Sequence, residues 1–289
     1  MQTYVAQKPK TLGKVLIGLG LFFVFLLLIL PLTLIFVSAF RSGWELFVSN
    51  LLDKDMLAAI RLTLFVALLT VPVNLVFGTL IAWCVTKFQF PGRKLLIAFI
   101  DAPYAISPVV AGLCYLLLYG NQSWLGGWLD SQGIQIIFAW PVIVLVTIFV
   151  TSPYVARELI PLMESQGSEE EEAAMVLGAS GLLMFLRVTL PNIKWALLYG
   201  TVLTTARAVG EFGSIAVVSG AIRGHTNTLP LHVQLLQQDY NSVGAFTAAL
   251  LLASIALLTL ILKTIFEYFQ NRKLSVTSHE SKISANTSG

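Results

Sequence analysis

Six apolar runs alternate with short polar stretches along this 289-residue chain. They cover residues 15–37, 57–85, 95–119, 134–150, 193–218 and 246–269. A helix needs about 20 apolar residues to cross a bilayer, so each run is a candidate span. Lipid offers no partner for a free backbone amide, so each span must be helical. The pattern predicts an all-α polytopic membrane protein with six transmembrane helices.

Composition agrees with that pattern. Hydrophobic residues make up 56% of the chain and charged residues 11%, well below the roughly 25% charged of a typical soluble domain. Mean hydropathy is +0.81. The net charge of +3 is small, and its placement says more. With the N-terminus in the cytoplasm, only Arg41, Lys54, Arg61 and Arg223 fall outside and Arg207 falls within a span. The other thirteen Lys and Arg fall inside, so the positive-inside bias puts both termini in the cytoplasm. The first run is too long for the apolar core of a signal peptide and is read as a retained helix. Trp44, Trp124, Trp128 and Trp140 suit a headgroup belt and need no chemistry. Cys84 and Cys114 lie in apolar runs, without metal or redox spacing. The three histidines are scattered, no metal set is visible, and no basic aromatic face suggests nucleic acid. The expected organisation is a cytoplasmic tail at 1–14, a first helix and outer loop at 15–56, a transmembrane domain at 57–270 and a disordered tail at 271–289, rich in Ser, Thr, Asn and Lys.

The longest polar interruption, roughly 151–191, contains "SEEEEAAMVLGASGLLMFLRVTLP". Ser168 followed by Glu171 reads as a capping box, each reaching the other's backbone amide. Glutamates in a first turn are favoured by the helix dipole. Gly178 suits the left-handed position that closes a helix, so residues 169–177 should form a short one. It is too short to be stable alone, so something must hold it. A second helix can start at Ser180 and end at Pro191, which opens the fifth span. Two short helices with apolar side chains either lie on lipid or form a knob for a soluble partner.

The spacing sharpens that choice. Glu172-Ala173-Ala174, three residues, Gly178, nine residues and Val188-Thr189-Leu190-Pro191 resemble the EAA loop of bacterial ABC importer permeases. The family pattern ends in Ile-x-Leu-Pro, and only Val188 departs from it. The resemblance implies a type I ABC importer permease fold. It also implies that the 168–191 loop is a coupling helix inserted into a cleft of an ATP-binding subunit. Glu172, Ala173, Ala174, Gly178, Leu190 and Pro191 are then the coupling residues. A rigid short helix in a cleft transmits force where a floppy loop would not.

Two spans carry polar groups. In "TTARAVGEFGSIAVVSG", Arg207 and Glu211 are one turn apart on one face and suit an ion pair. A mid-membrane charge costs about 2.5–3.5 kcal/mol on insertion scales, so it should face a partner or a watery cavity. The pair serves helix packing, a gate, or both. Small neighbours, including Gly210, Gly213 and Ser214, allow close packing. In "DAPYAISPVVAGL", Pro103 and Pro108 interrupt the backbone ladder, and Asp101 is a candidate partner for Arg207. Asp101, Ser107, Thr204, Arg207, Glu211 and Ser214 are the candidate pathway or gate residues.

With "KFQFPGR" and "VTLPNIKWALLYG", these stretches resemble the sulfate/thiosulfate ABC transporter permeases, W-type subunit, over nearly the whole chain. The molybdate permeases and the paralogous T-type subunit share parts of the pattern. The resemblance implies an importer of sulfate, and of thiosulfate, in the bacterial inner membrane. Its partners would be a T-type permease subunit, two copies of an ABC ATPase and a periplasmic or tethered binding protein. The chain lacks the Gly-x-x-x-x-Gly-Lys-Ser/Thr phosphate loop, so ATP and Mg belong to the partner ATPase and no cofactor is expected here. A molybdate or tungstate permease is the nearest alternative. A proton-coupled anion transporter using Asp101 and Glu211, and a membrane scaffold without transport, are the readings from other classes. No nucleophile–base pair suggests an enzyme.

Overall fold

The computed structural model describes residues 11–287, with side chains described for 12–265. The tail 1–10 and the side chains of the expected disordered tail 271–289 lie outside the described residues. The described residues contain five helices long and apolar enough to span a membrane, and a sixth when one bent pair counts as a single span.

The spans are α1 (Leu12–Phe40), α3 (Lys54–Lys87), the bent pair α4 (Arg93–Ala105) and α5 (Pro108–Tyr119), α7 (Trp140–Gln166), α9 (Gly181–Val209) and the Ser242–Ile265 part of α12 (Ser242–Thr287). Short helices α2 (Trp44–Leu51), α6 (Trp124–Ser131), α8 (Glu169–Val176), α10 (Gly213–Val218) and α11 (Leu229–Gln238) fill the connections. Of these, α8 is legible as a short helix in the sequence pattern, and α10 only as the end of the fifth apolar run at 193–218.

The centre of the bundle is α3 against α7, with α9 packed on both. Burial follows this order: 56% of the apolar window of α7 is buried, against 0% for α1. Small residues let the central pair approach. A Cβ on Gly78 would stand 2.7 Å from the Val155 Cβ, so only hydrogen fits there. The same contact carries a polar tie, with Asn74 Nδ2 donating to Thr151 Oγ1 at 2.6 Å. Ala82, Val155, Leu159, Met163 and Ile193 form one apolar cluster towards the α8 end. Val66, Ile143, Val146, Ile215 and Val218 form another towards the opposite end.

Three boundaries differ from the sequence pattern. The fourth span does not start at 134 or end at 150; α7 runs from Trp140 to Gln166 with Pro153 and Pro161 inside it. Packing against α3 and α9 holds that helix through its prolines. The third span bends by 107° between Ala105 and Pro108. Pro103 stays inside α4, and only the Pro108 break changes direction. The fifth span stops at Gly210, and α10 then packs separately against α5. Nor does Pro191 end a helix. A π turn over Phe185–Thr189 precedes it, and helix continues on both sides. The wider turn absorbs the missing donor and the clash with the preceding turn that proline brings.

Candidate functional site

The loop begins where α7 ends at Gln166 and Gly167 turns with φ of +71°. Helix α8 spans eight residues and carries all four glutamates in its first turn. Its end is a Schellman motif. The Gly178 amide donates to the Met175 carbonyl at 2.9 Å and the Ala179 amide to the Ala174 carbonyl at 3.0 Å. Gly178 has φ of +85°, as expected from its position after the apolar run, and open space where a Cβ would stand.

The expected capping box is absent. The Ser168 side chain makes no cap bond and donates to Glu172 Oε1 at 2.5 Å. Glu171 points inward and is 7% exposed. Lys87 Nζ lies 2.6 Å from its Oε2 and Thr189 Oγ1 donates to its Oε1 at 2.7 Å. Those two partners satisfy both carboxylate oxygens, which leaves none for the backbone of Ser168. Asn192 Nδ2 donates to Glu170, and Lys87 Nζ also donates to the Gly167 carbonyl. The other side of α8 is open. Ala173 and Glu172 are exposed, Ala174 is half-buried, and Met175, Val176 and Leu177 are exposed apolar residues at its tip. Leu190 packs at the edge of the apolar cluster beneath, and Pro191 is exposed.

The six candidates in the spans divide into two groups. Thr204, Glu211 and Ser214 are buried within the chain. Asp101, Ser107 and Arg207 keep exposed surface. Arg207 pairs with Glu211 at 2.5 Å, as the spacing predicted. Glu211 Oε1 also accepts from the Ser214 amide at 3.1 Å and its hydroxyl at 2.7 Å. One carboxylate therefore joins the end of α9 to the start of α10 across the break. The expected Asp101–Arg207 pair is not formed. Asp101 Oδ1 accepts instead from Arg157 Nε at 2.8 Å. The reason is the length of α7. It carries Arg157 nine residues before its C-terminal end and brings it beside α4, where the Arg157 guanidinium also covers the Tyr104 ring at 5.4 Å.

The family match decides what this bundle is. Residues 74–274 match the family described as binding-protein-dependent transport system inner membrane component. The chain belongs to this family. Among the transport components most similar to it is the sulfate transport system permease protein CysW of Escherichia coli (strain K12). It is 60% identical over 262 residues, 90% of either chain. The CysW protein of Synechococcus elongatus is 51% identical over 263 residues, 91% of this chain and 92% of the other. CysT of E. coli K12 is 35% identical over 244 residues, 84% of this chain and 88% of the other. Among solved structures, a bacterial ABC transporter that imports alginate superposes with a TM-score of 0.72. The match covers 90% of this chain and 95% of that one at 18% identity, so it speaks to the fold alone. That fold is the type I ABC importer permease.

Sequence spacing missed several residues that the family fold brings together. Lys87 was read only as an inside charge, although it ends α3 directly beneath α8. Arg157 falls in the polar interruption 151–191 on the sequence pattern, because the apolar run ends at 150. Glu170 reads as a dipole residue and Glu171 as a capping-box partner of Ser168, and nothing in their spacing separates an inward glutamate from an outward one. Thr189 and Asn192 flank the Leu-Pro of the motif, and that adjacency was the one available signal.

Proposed function

We propose that this chain is the W-type permease subunit of an ATP-driven importer that carries sulfate, and thiosulfate, across the bacterial inner membrane. The observation that carries the reading is 60% identity over 90% of the chain to a sulfate permease subunit. The similarity to CysW proteins exceeds that to CysT, which supports the W-type assignment and a T-type subunit as the paired permease. The chain is a transmembrane subunit and not an enzyme. ATP and Mg are bound by two copies of a partner ATPase, and a periplasmic or tethered binding protein delivers the anion. Both termini face the cytoplasm, which puts α8 on the ATPase side.

The geometry fits the division of labour. Helix α8 presents Glu172, Ala173 and the apolar tip to the partner, while Gly178 adds no side chain to that face. Ala174, Leu190 and Pro191 set how the helix joins the fifth span. Asp101, Ser107 and Arg207 line the path as exposed polar groups at membrane depth. Glu211, Ser214 and Thr204 act from behind, and Glu211 and Ser214 hold the α9–α10 break against Arg207. Sulfate is doubly charged and strongly hydrated, so a pore that held it tightly would trap it. Selectivity then rests mainly with the binding protein.

The test is uptake of labelled sulfate by proteoliposomes holding this chain with its permease partner, ATPase and binding protein. Uptake should need ATP, resist a protonophore, and be competed by thiosulfate more strongly than by molybdate or tungstate. Preferential competition by molybdate would move the substrate to the alternative oxyanion, and uptake abolished by the protonophore would remove the ATP-driven reading.

A further inference from the structure

We propose that Lys87 and Glu171 form a clasp that couples α8 to the membrane helices, so that motion imposed on α8 by the ATPase passes into α3 and α9 together. The proposal rests on the permease reading above and assigns the force path within it.

An eight-residue helix does not hold its own shape in water. What holds α8 is concentrated on one carboxylate. Glu171 meets Lys87 at the last residue of α3 and Thr189 at the π turn of α9, at 2.6 and 2.7 Å. Lys87 reaches from the same point to the Gly167 carbonyl, where the chain leaves α7. Three spans therefore converge on a single ion pair. A solvent-exposed pair would be too weak and mobile to transmit displacement. This one has side-chain exposures of 12% and 10%, and both carboxylate oxygens are occupied. The apolar tip of α8 has no such ties: Val176 and Leu177 are each 88% exposed. One end of the helix is built to be gripped and the other is fixed to the bundle. The Asn192–Glu170 bond, one turn from Thr189, gives the fixed end a second tie to α9.

A clasp that sets coupling differs from a contact that merely maintains the fold. The first changes how much ATP is hydrolysed per anion moved, with assembly intact. The assembled transporter in proteoliposomes reads that ratio for Lys87→Met, Glu171→Gln and the exchanged pair Lys87→Glu with Glu171→Lys. The single variants should retain the ATPase subunit through purification and raise the ratio about tenfold, within the usual range of coupling between sites. The exchanged pair should restore most of it. Thr189→Val, which removes one bond and keeps the charges, should raise it less. Single variants with the parental ratio, or single variants that shed the ATPase with no recovery in the exchanged pair, would overturn the clasp. The ratio is taken with whichever oxyanion the parent transports, so a parent that rejects sulfate overturns the substrate assignment alone.

Discussion

Four consecutive glutamates look interchangeable in the sequence, yet the structure gives three of them different partners. Glu170 meets Asn192, Glu171 meets Lys87 and Thr189, and Glu172 meets Ser168. Helical spacing cannot separate them, because the direction of each depends on the ends of α3 and α9, far away in sequence. Gly178 was legible for the opposite reason. Its left-handed backbone is a local demand that any short helix ended this way makes. The Gly178→Asp variant would carry a side chain at φ of +85°, which strains a non-glycine residue, and would add a charge on the docking side. Open space surrounds that position, so the bundle itself should tolerate the change. Expected is normal insertion and accumulation with uptake lost and ATP hydrolysis retained. Sulfate uptake at the parental rate in that variant, measured in cells lacking the native subunit, would remove α8 from the coupling path.

At the scale of elements, the apolar pattern located every span and misjudged how three of them end. The pattern reports which residues tolerate lipid. It does not report whether neighbouring helices hold a backbone through a proline, as they do for α7, or leave it to break, as at Ser107–Pro108. The break after α9 is held by charge. Glu211 is fully buried and ties Arg207 to the Ser214 amide, so the pair is a structural joint whatever else it does. Removing Arg207 leaves the fully buried Glu211 carboxylate without its cation, at a cost of about 3–5 kcal/mol for a buried pair, and removing Glu211 leaves Arg207 unpaired and takes the acceptor from the Ser214 amide and hydroxyl. Removing both avoids that charge. Arg207→Met and Glu211→Met should each lower the melting temperature of the detergent-purified complex sharply. The double variant should melt nearer to the parent than either single one. A double variant less stable than both singles would mean that the two charges are not partners in the folded protein. Gly112 marks the other side of the same joint, where a Cβ would stand 2.7 Å from the Ser214 carbonyl oxygen.

For the molecule as a whole, polar burial is uneven. The face opposite α8 holds a compact buried polar set, Thr226, Asn227, Thr228 and His232, at the start of α11. With ten residues, α11 is too short to span a membrane, and the apolar pattern gave no sign of it. The imidazole of His232 is 2.8 Å from Asn227 Nδ2, which donates to Nδ1 and leaves the proton on Nε2. A cavity of about 280 Å³ adjoins it, lined in part by Asp53, Asp55, Arg223 and Asp239. Burial pushes the His232 pKa below its ordinary value of 6.5, and Arg223 pushes the same way, against Asp55, Asp53 and Asp239. The unfolded chain therefore binds a proton at a higher pH than the folded one does. Stability from the neutral ring is complete above the unfolded value and is lost as pH falls through about 6.5 towards the lower folded value. Protonation also removes the acceptor that Asn227 uses. One such group changes stability by at most about 1.4 kcal/mol per pH unit. The melting temperature of the purified complex should fall between pH 7.5 and 5.5, and His232→Gln should flatten that fall. An unchanged pH profile in the variant would show that the ring carries no proton difference between folded and unfolded chains. In the assembled transporter the same protonation would loosen the face opposite α8, where a binding protein delivering the anion would dock, so uptake should weaken across the same pH range while ATP hydrolysis by the partner ATPase is spared.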